Sequence, residues 1–365
     1  MEELFKKSFV LNKAEDIGGY LNISRKAVAN IAEYLPIFGV GETRFKYVTT
    51  TRLLDFIESR IPLITNGQFN TFKDLVETSQ IKLLDNPNFY KKVITQAITI
   101  AFNNLKGGVA KTTTVANLAA ILASLNQKVL LVDADMQNQL SDHFTGEDYE
   151  GRSILQIIQE YDKTKQVDVE LLKRTIQTID VGNGKTVDLL PSEWDLGRGL
   201  ESSRSITNVS ILLKKIIGQI KNNYDFILID TPPTNILALE LSFFAADYVT
   251  FVVNAERKSF QSFQYLVEQL HKLQIDAQEF SLDIKLDSVI LSKYKETTTT
   301  TGWADEITKI CQKEELKMYK VMLRELFAQA DTNNKALIAM SEKRTEALEI
   351  TDELMAYAID LINRK

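Results

Sequence analysis

The chain has 365 residues, 44% of them hydrophobic and 25% charged, with 43 basic against 49 acidic side chains and a formal net charge of −6. That is enough apolar material for a large core, yet no run reaches the ~18 apolar residues of a membrane-spanning helix. One cysteine, Cys311, and two distant histidines, His143 and His271, exclude a disulfide framework, a cysteine-ligated iron–sulfur cluster and a histidine-rich metal site within one chain. The acidity argues against a coat of positive charge, but nucleic-acid contact depends on local clusters of Lys and Arg rather than on their sum. MEELFKKSFVLNKAED at the start has no apolar signal-peptide core, so the cytoplasm is the expected compartment.

Residues 13–36, KAEDIGGYLNISRKAVANIAEYLP, predict a helix, a short turn and a second helix. Ala14, Ile17, Leu21, Ile23, Val28 and Ile31 supply the packed interior of such a pair. Ser24 caps the second helix and leaves Arg25, Lys26 and Asn30 outward, residue types that contact phosphates and base edges in a major groove. IFGVGETRFKYVTTTRLLDFIESR (37–60) predicts a β-hairpin wing carrying Arg44 and Lys46, followed by another helix. The pattern resembles the winged helix–turn–helix of MerR-like regulators, so residues 1–61 are expected to form a small DNA-binding domain. Residues 62–95 carry Asn-Gly and Asn-Pro-Asn turns around one helix and read as a connector.

From residue 96 to 365 short apolar runs alternate with longer amphipathic stretches. The expected strands are AITIAFNN (97–104), KVLLVD (128–133), VDLLPS (187–192), FILIDT (226–231), YVTFVVN (248–254), SVILSKY (288–294) and MYKVML (318–323). Continuous Val/Ile/Leu runs spaced by helices predict an α/β, doubly wound, mostly parallel sheet covered on both faces.

The first of these strands runs into NLKGGVAKTTTVANLAAILASL, a tight loop opening a helix. A helix N-terminus offers unpaired N–H groups and the positive end of its dipole, which together favour phosphate. Gly107 and Gly108 let the backbone curl closely, Lys111 is placed to reach the β- and γ-phosphates, and the Thr112 hydroxyl is placed to ligate Mg2+. The strict pattern G-x-x-x-x-G-K-[ST] is not met, because Leu105 and Ala110 stand where its glycines belong. Instead Lys106 adds a second lysine, giving K-G-G-V-x-K-T. This resembles the deviant Walker A motif of the ParA/MinD superfamily, whose ParA members with an N-terminal DNA-binding domain often carry a non-glycine before the second lysine.

Further segments fall in the same family's order. KVLLVDADMQNQ (128–139) resembles its D-x-D-P-Q segment with Met136 in place of proline, and YDFILIDTPP (224–233) resembles its Walker B strand. LLPSEWDL (189–196) and ADYVTFVVNAE (246–256) follow suit, so the resemblance to the ParA family covers about 97–365. It implies ATP and Mg2+ as ligands, held by Lys106, Gly107, Gly108, Val109, Ala110, Lys111, Thr112 and Thr113, with Asp133 and Asp230 joining Thr112 at the metal. It implies that Asp135 positions the attacking water and that Lys106 crosses a homodimer interface to the partner's nucleotide. It also implies slow hydrolysis stimulated by a ParB-type centromere-binding protein.

ParA relatives bind DNA without sequence preference through basic residues near the C-terminal end of the sheet. Lys293 and Lys295, with Arg324, Lys343 and Arg344, are the candidates here, beside a threonine tract from Thr297 to Thr301. The expected function is a plasmid partition ATPase that is cytoplasmic and nucleoid-associated, and autoregulates its operon through the N-terminal domain. Two readings compete. A MinD-like membrane-cycling ATPase needs a basic amphipathic C-terminal helix, whereas ITDELMAYAIDLINRK (350–365) carries Asp352, Glu353 and Asp360. An ATP-switched transcription regulator without turnover is disfavoured by intact Lys111, Asp135 and Asp230.

Overall fold

The computed structural model describes residues 10–11, 48–49, 97–124, 127–146, 151–182, 185–193, 196, 209–233, 236–295, 297–322, 354, 357–358 and 360–362. The chain divides into two compact units, one of residues 1–94 and 355–365 and the other of residues 95–354. In the first unit, β1 (Val10–Leu11) pairs antiparallel with β2 (Val48–Thr49). Near its C-terminal end Tyr357, Ala358, Leu361 and Ile362 are helical and buried. The expected DNA-contacting residues Ser24, Arg25, Lys26, Asn30, Arg44 and Lys46 lie outside the described residues, as do Arg324, Lys343 and Arg344.

Among the described residues, the second unit is built on eight strands: β3 (Ile98–Asn103), β4 (Val129–Asp133), β5 (Gln177–Gly182), β6 (Lys185–Leu190), β7 (Phe226–Asp230), β8 (Tyr248–Val253), β9 (Lys285–Tyr294) and β10 (Lys317–Met322). Their order across the sheet is β10-β9-β8-β3-β7-β4-β6-β5. Every described pairing in it is parallel except β5 with β6. The central strands β3, β4 and β7 are buried at every position, as expected of apolar runs covered on both faces. The expected strand at 187–192 is shifted, running from Lys185 to Leu190, because its pairing with β5 begins at Lys185 opposite Gly182.

Helix α1 (Lys111–Ser124) follows β3, and its residues from Thr113 to Ala123 are buried on every side. KTTTVANLAAILAS has the small and aliphatic side chains that such an enclosed position demands, and no charged residue after its first. Next come α2 (Gln139–Thr145), α3 (Ile154–Thr164), α4 (Val169–Thr175), α5 (Leu212–Gly218), α6 (Ile236–Ala245), α7 (Arg257–Gln278) and α8 (Thr298–Lys313). Phe243 and Phe244 of α6 and Phe263 of α7 are fully buried, and Phe263 meets Phe251 of β8 edge-on at 5.0 Å. Because the chain runs from β3 to β4 and β7 on one side and later to β8, β9 and β10 on the other, the strand order reverses around β3. In open α/β sheets the crevice at the carboxyl ends of strands flanking such a reversal is where ligands bind.

Candidate phosphate-binding site

Sheet register decides which side chains meet at that crevice. Phe102 of β3 pairs with Asp230 of β7, and Asp133 of β4 pairs with the same Asp230. Two carboxylates therefore end adjacent parallel strands, directly beside the loop that leaves β3. Both are completely buried, and Asp135 just beyond β4 is 3% exposed.

The loop from Asn104 to Ala110 is built by local chemistry. Asn104 accepts the Lys106 N–H on its Oδ1 at 2.7 Å and donates through Nδ2 to the Val252 carbonyl, fixing the start of the loop against β8. Gly108 has φ of 75°, a conformation open to glycine at little cost. Ala110 has φ of 64°, the left-handed region, at the position where the strict phosphate-loop pattern has glycine. The sequence departure at Ala110 has thus left the backbone shape intact at some cost in strain. Thr114 N–H donates to the Ala110 carbonyl at 2.9 Å, so helix hydrogen bonding begins at once.

Lys111 and Thr112, the first two residues of α1, converge on Asp230. The Lys111 ammonium pairs with Oδ1 and the Thr112 hydroxyl donates to Oδ2 at 2.7 Å. The Lys111 and Asp230 side chains are 8% and 0% exposed, so each charge in this low-dielectric pocket is matched by the other. The placement joins three of the residues expected at the phosphates and metal.

Asp133 is held differently. Its Oδ1 accepts the Asp135 N–H at 3.0 Å, and its Oδ2 accepts both the N–H and the hydroxyl of Ser141 at 2.8 and 2.7 Å. Burial and the neighbouring Asp230 charge push the Asp133 carboxyl up to about 7, against the Ser141 hydrogen bonds. With both oxygens engaged, Asp133 acts as a brace for the β4–α2 turn. The brace extends further, because Ser192 N–H donates to the Ser141 hydroxyl at 2.9 Å and the Ser192 hydroxyl to the Asp135 carbonyl at 2.9 Å. Asp135 itself accepts the Gln137 N–H at 3.0 Å on Oδ1. Burial raises its pKa, while the Lys111 charge opposes that rise.

These groups surround a cleft of about 370 Å³ lined by every residue from Lys106 to Thr113, with Asp135, His143 and Lys293 among the others. Lys106 forms an ion pair with Glu256 at the start of α7. Lys293, expected beside Lys295 at a DNA surface, lines the cleft, where its ammonium donates to the Gly108 carbonyl at 3.1 Å. Its side chain turns this way because Lys293 has φ of 50°, off the regular strand path of β9. Lys295 is exposed just past the strand.

A polyphosphate and a magnesium ion fit this donor set. The glycine loop and helix start offer N–H groups, Lys106, Lys111 and Lys293 offer positive charge, and Thr112 with Asp230 offers the hydroxyl and single carboxylate that Mg2+ typically takes from protein. Among the described residues no cluster of three or more His, Cys, Asp or Glu side chains could hold a metal unaided. Sequence reasoning missed Ser141, Ser192, Glu256 and Asn104. The motif segments 189–196 and 246–256 contain Ser192 and Glu256, but their bonding partners lie far away in sequence.

Comparison with known proteins agrees with the geometry. A family profile described as an AAA domain matches residues 97–284. The sporulation initiation inhibitor protein Soj of Bacillus subtilis (strain 168) is 31% identical over 197 residues, which make up 53% of this chain and 71% of Soj. A ParA family protein of Chlamydia pneumoniae is 32% identical over 172 residues, 46% of this chain and 63% of that protein. Among solved structures, the ATP complex of McdA from Cyanothece superimposes with a TM-score of 0.59 at 19% identity, covering 72% of this chain and 97% of McdA. That last likeness is one of fold. No helix among the described residues is long and apolar enough to cross a membrane.

Proposed function

Because this chain belongs to the ParA family of P-loop ATPases, we propose that it is a partition ATPase that dimerises around Mg·ATP, binds DNA and hydrolyses ATP slowly. The observation that carries this reading is the convergence of Lys111 and Thr112 on Asp230 at the mouth of the glycine loop, with Asp135 alongside. Phosphoryl transfer asks a protein chiefly for positioning and charge neutralisation, and these residues supply both. The loop amides and Lys111 hold the phosphates, and Thr112 and Asp230 hold the metal. Mg2+ when bound neutralises phosphate charge. Asp135 orients the attacking water, and Asp133, through its bond to the Asp135 N–H, keeps that carboxylate in place. Lys106, 29% exposed at the rim, reaches a partner's nucleotide once released from Glu256.

The wider role follows the family. We place the protein in the cytoplasm at the nucleoid, partnered by DNA and by a ParB-type centromere-binding protein that stimulates turnover. Residues 1–61 serve operator binding and autorepression. Phosphate release measured with and without DNA tests the enzyme directly. Wild-type turnover that disappears in Lys111→Ala and Asp135→Ala, with ATP binding kept by Asp135→Ala, is the expected result. Turnover that survives either change would remove the assigned roles.

A further inference from the structure

Three lysines face the cleft, and two of them have carboxylate partners: Lys106 pairs with Glu256 and Lys111 with Asp230. Lys293 differs. Among the described residues its ammonium has no carboxylate within ion-pair distance, and the contact it makes is with a neutral acceptor, the Gly108 carbonyl at 3.1 Å. An ammonium carries three donors, so this one bond leaves two for another acceptor.

The backbone supports a built position. Lys293 has φ of 50°, a left-handed conformation strained for a non-glycine residue, and such outliers persist where the surroundings dictate them. Here the surroundings are fixed by the residue before it. The Ser292 hydroxyl is buried between the Val109 carbonyl and Asn254 Oδ1, the latter at 2.8 Å, so the end of β9 is tied to the phosphate loop. Tyr294 on the other side is buried. With both neighbours anchored, the left-handed turn sends the half-buried Lys293 side chain across the loop.

We propose that Lys293 is a third phosphate-binding cation of the nucleotide cleft, one that the strict phosphate-loop motif does not contain. This rests on the reading of the cleft as an ATP site. A positive charge with neutral company, held over a loop whose amides favour anions, is satisfied by the negative oxygens of a di- or triphosphate. The assignment also removes Lys293 from the basic face expected for DNA.

The test is a fluorescence titration of the full-length protein with a fluorescent ATP analogue and magnesium, over a salt series. Lys293→Asn removes the charge while keeping a residue that tolerates the left-handed backbone, and Lys293→Arg keeps the charge. Lys293→Asn should weaken binding about tenfold and flatten the salt dependence, and Lys293→Arg should stay within about threefold of wild type. If wild type binds and Lys293→Asn binds equally well, the inference is overturned while the ATP site stands. Equal losses in the Asn and Arg variants overturn it too, since shape and not charge would then matter. If wild type itself fails to bind, the ATPase reading falls first.

Discussion

Ala110 shows how a residue can break a motif and keep its shape. With φ of 64°, it holds the left-handed turn that glycine normally supplies before the second lysine. An L-residue pays about 1 kcal/mol or more in that region, while glycine gives back some of that gain through its freer unfolded chain. Ala110→Gly should therefore leave stability unchanged or raise it by up to about 1 kcal/mol, whereas Ala110→Val, β-branched, should lose about 2 kcal/mol. Denaturant unfolding curves of the three proteins give the comparison, and a Gly variant clearly weaker than wild type would contradict the strain. Lys111 carries a larger consequence, because its partner Asp230 has no exposure to water. Lys111→Ala strands that carboxylate, so unfolding should become easier by about 3–5 kcal/mol, and adding Asp230→Asn should restore part of the loss. A double variant that simply sums the two single losses would show the pair to be uncoupled.

Segments were legible where one physical cause governed them. β3, β4 and β7 are apolar throughout, and their burial on both faces follows from that alone. β5 was not expected, because QTIDVG is an antiparallel edge whose side chains are only alternately covered, and no continuous apolar run announces it. Likewise the phosphate loop can be read from glycines and lysines, but the sequence around Lys293 points to a DNA face and gives no sign that this side chain lines the cleft. Its direction depends on a backbone turn and on Ser292 anchoring to Val109, a contact 183 positions away in the chain. The threonine tract is a helix start: Thr297 accepts the Thr300 N–H at 3.3 Å and Thr300 returns a bond to the Thr297 N–H at 3.0 Å, closing a capping box on α8. Farther along the same helix, Cys311 is 3% exposed and burial pushes its thiol up to about 11. At pH 8 roughly one such thiol in a thousand is ionised, and the thiolate is the reactive form. Iodoacetamide should thus label native protein far more slowly than denatured protein, with the native rate still climbing above pH 9. Prompt native labelling at pH 8 would show that α8 does not shield the sulfur.

The sheet unit gathers its chemistry at one end, so ligand and fold are linked energetically as well as spatially. Lys111, Asp230, Asp133 and Asp135 come from α1, β7, β4 and the turn beyond β4, and groups of mixed charge from these elements are buried together. A ligand that binds only this assembled arrangement stabilises it by RT ln(1 + [L]/Kd), about 2.7 kcal/mol at a hundredfold excess over Kd. For a unit of this size that corresponds to a rise in melting temperature of roughly 5–10 °C. ATP with magnesium should produce such a rise, and chelating the metal should remove most of it, because the ion proposed at Thr112 and Asp230 is then lost. The proposed dimerisation around nucleotide would add a second signature. With Mg·ATP present the melting temperature should climb with protein concentration, since association then contributes to the folded state, whereas without nucleotide it should be flat. Differential scanning calorimetry across a tenfold or wider range of protein concentration separates the cases. A rise with ATP that is independent of protein concentration would keep the nucleotide site and discard the sandwich, because a ligand bound by one protomer alone has no reason to know how many others are present.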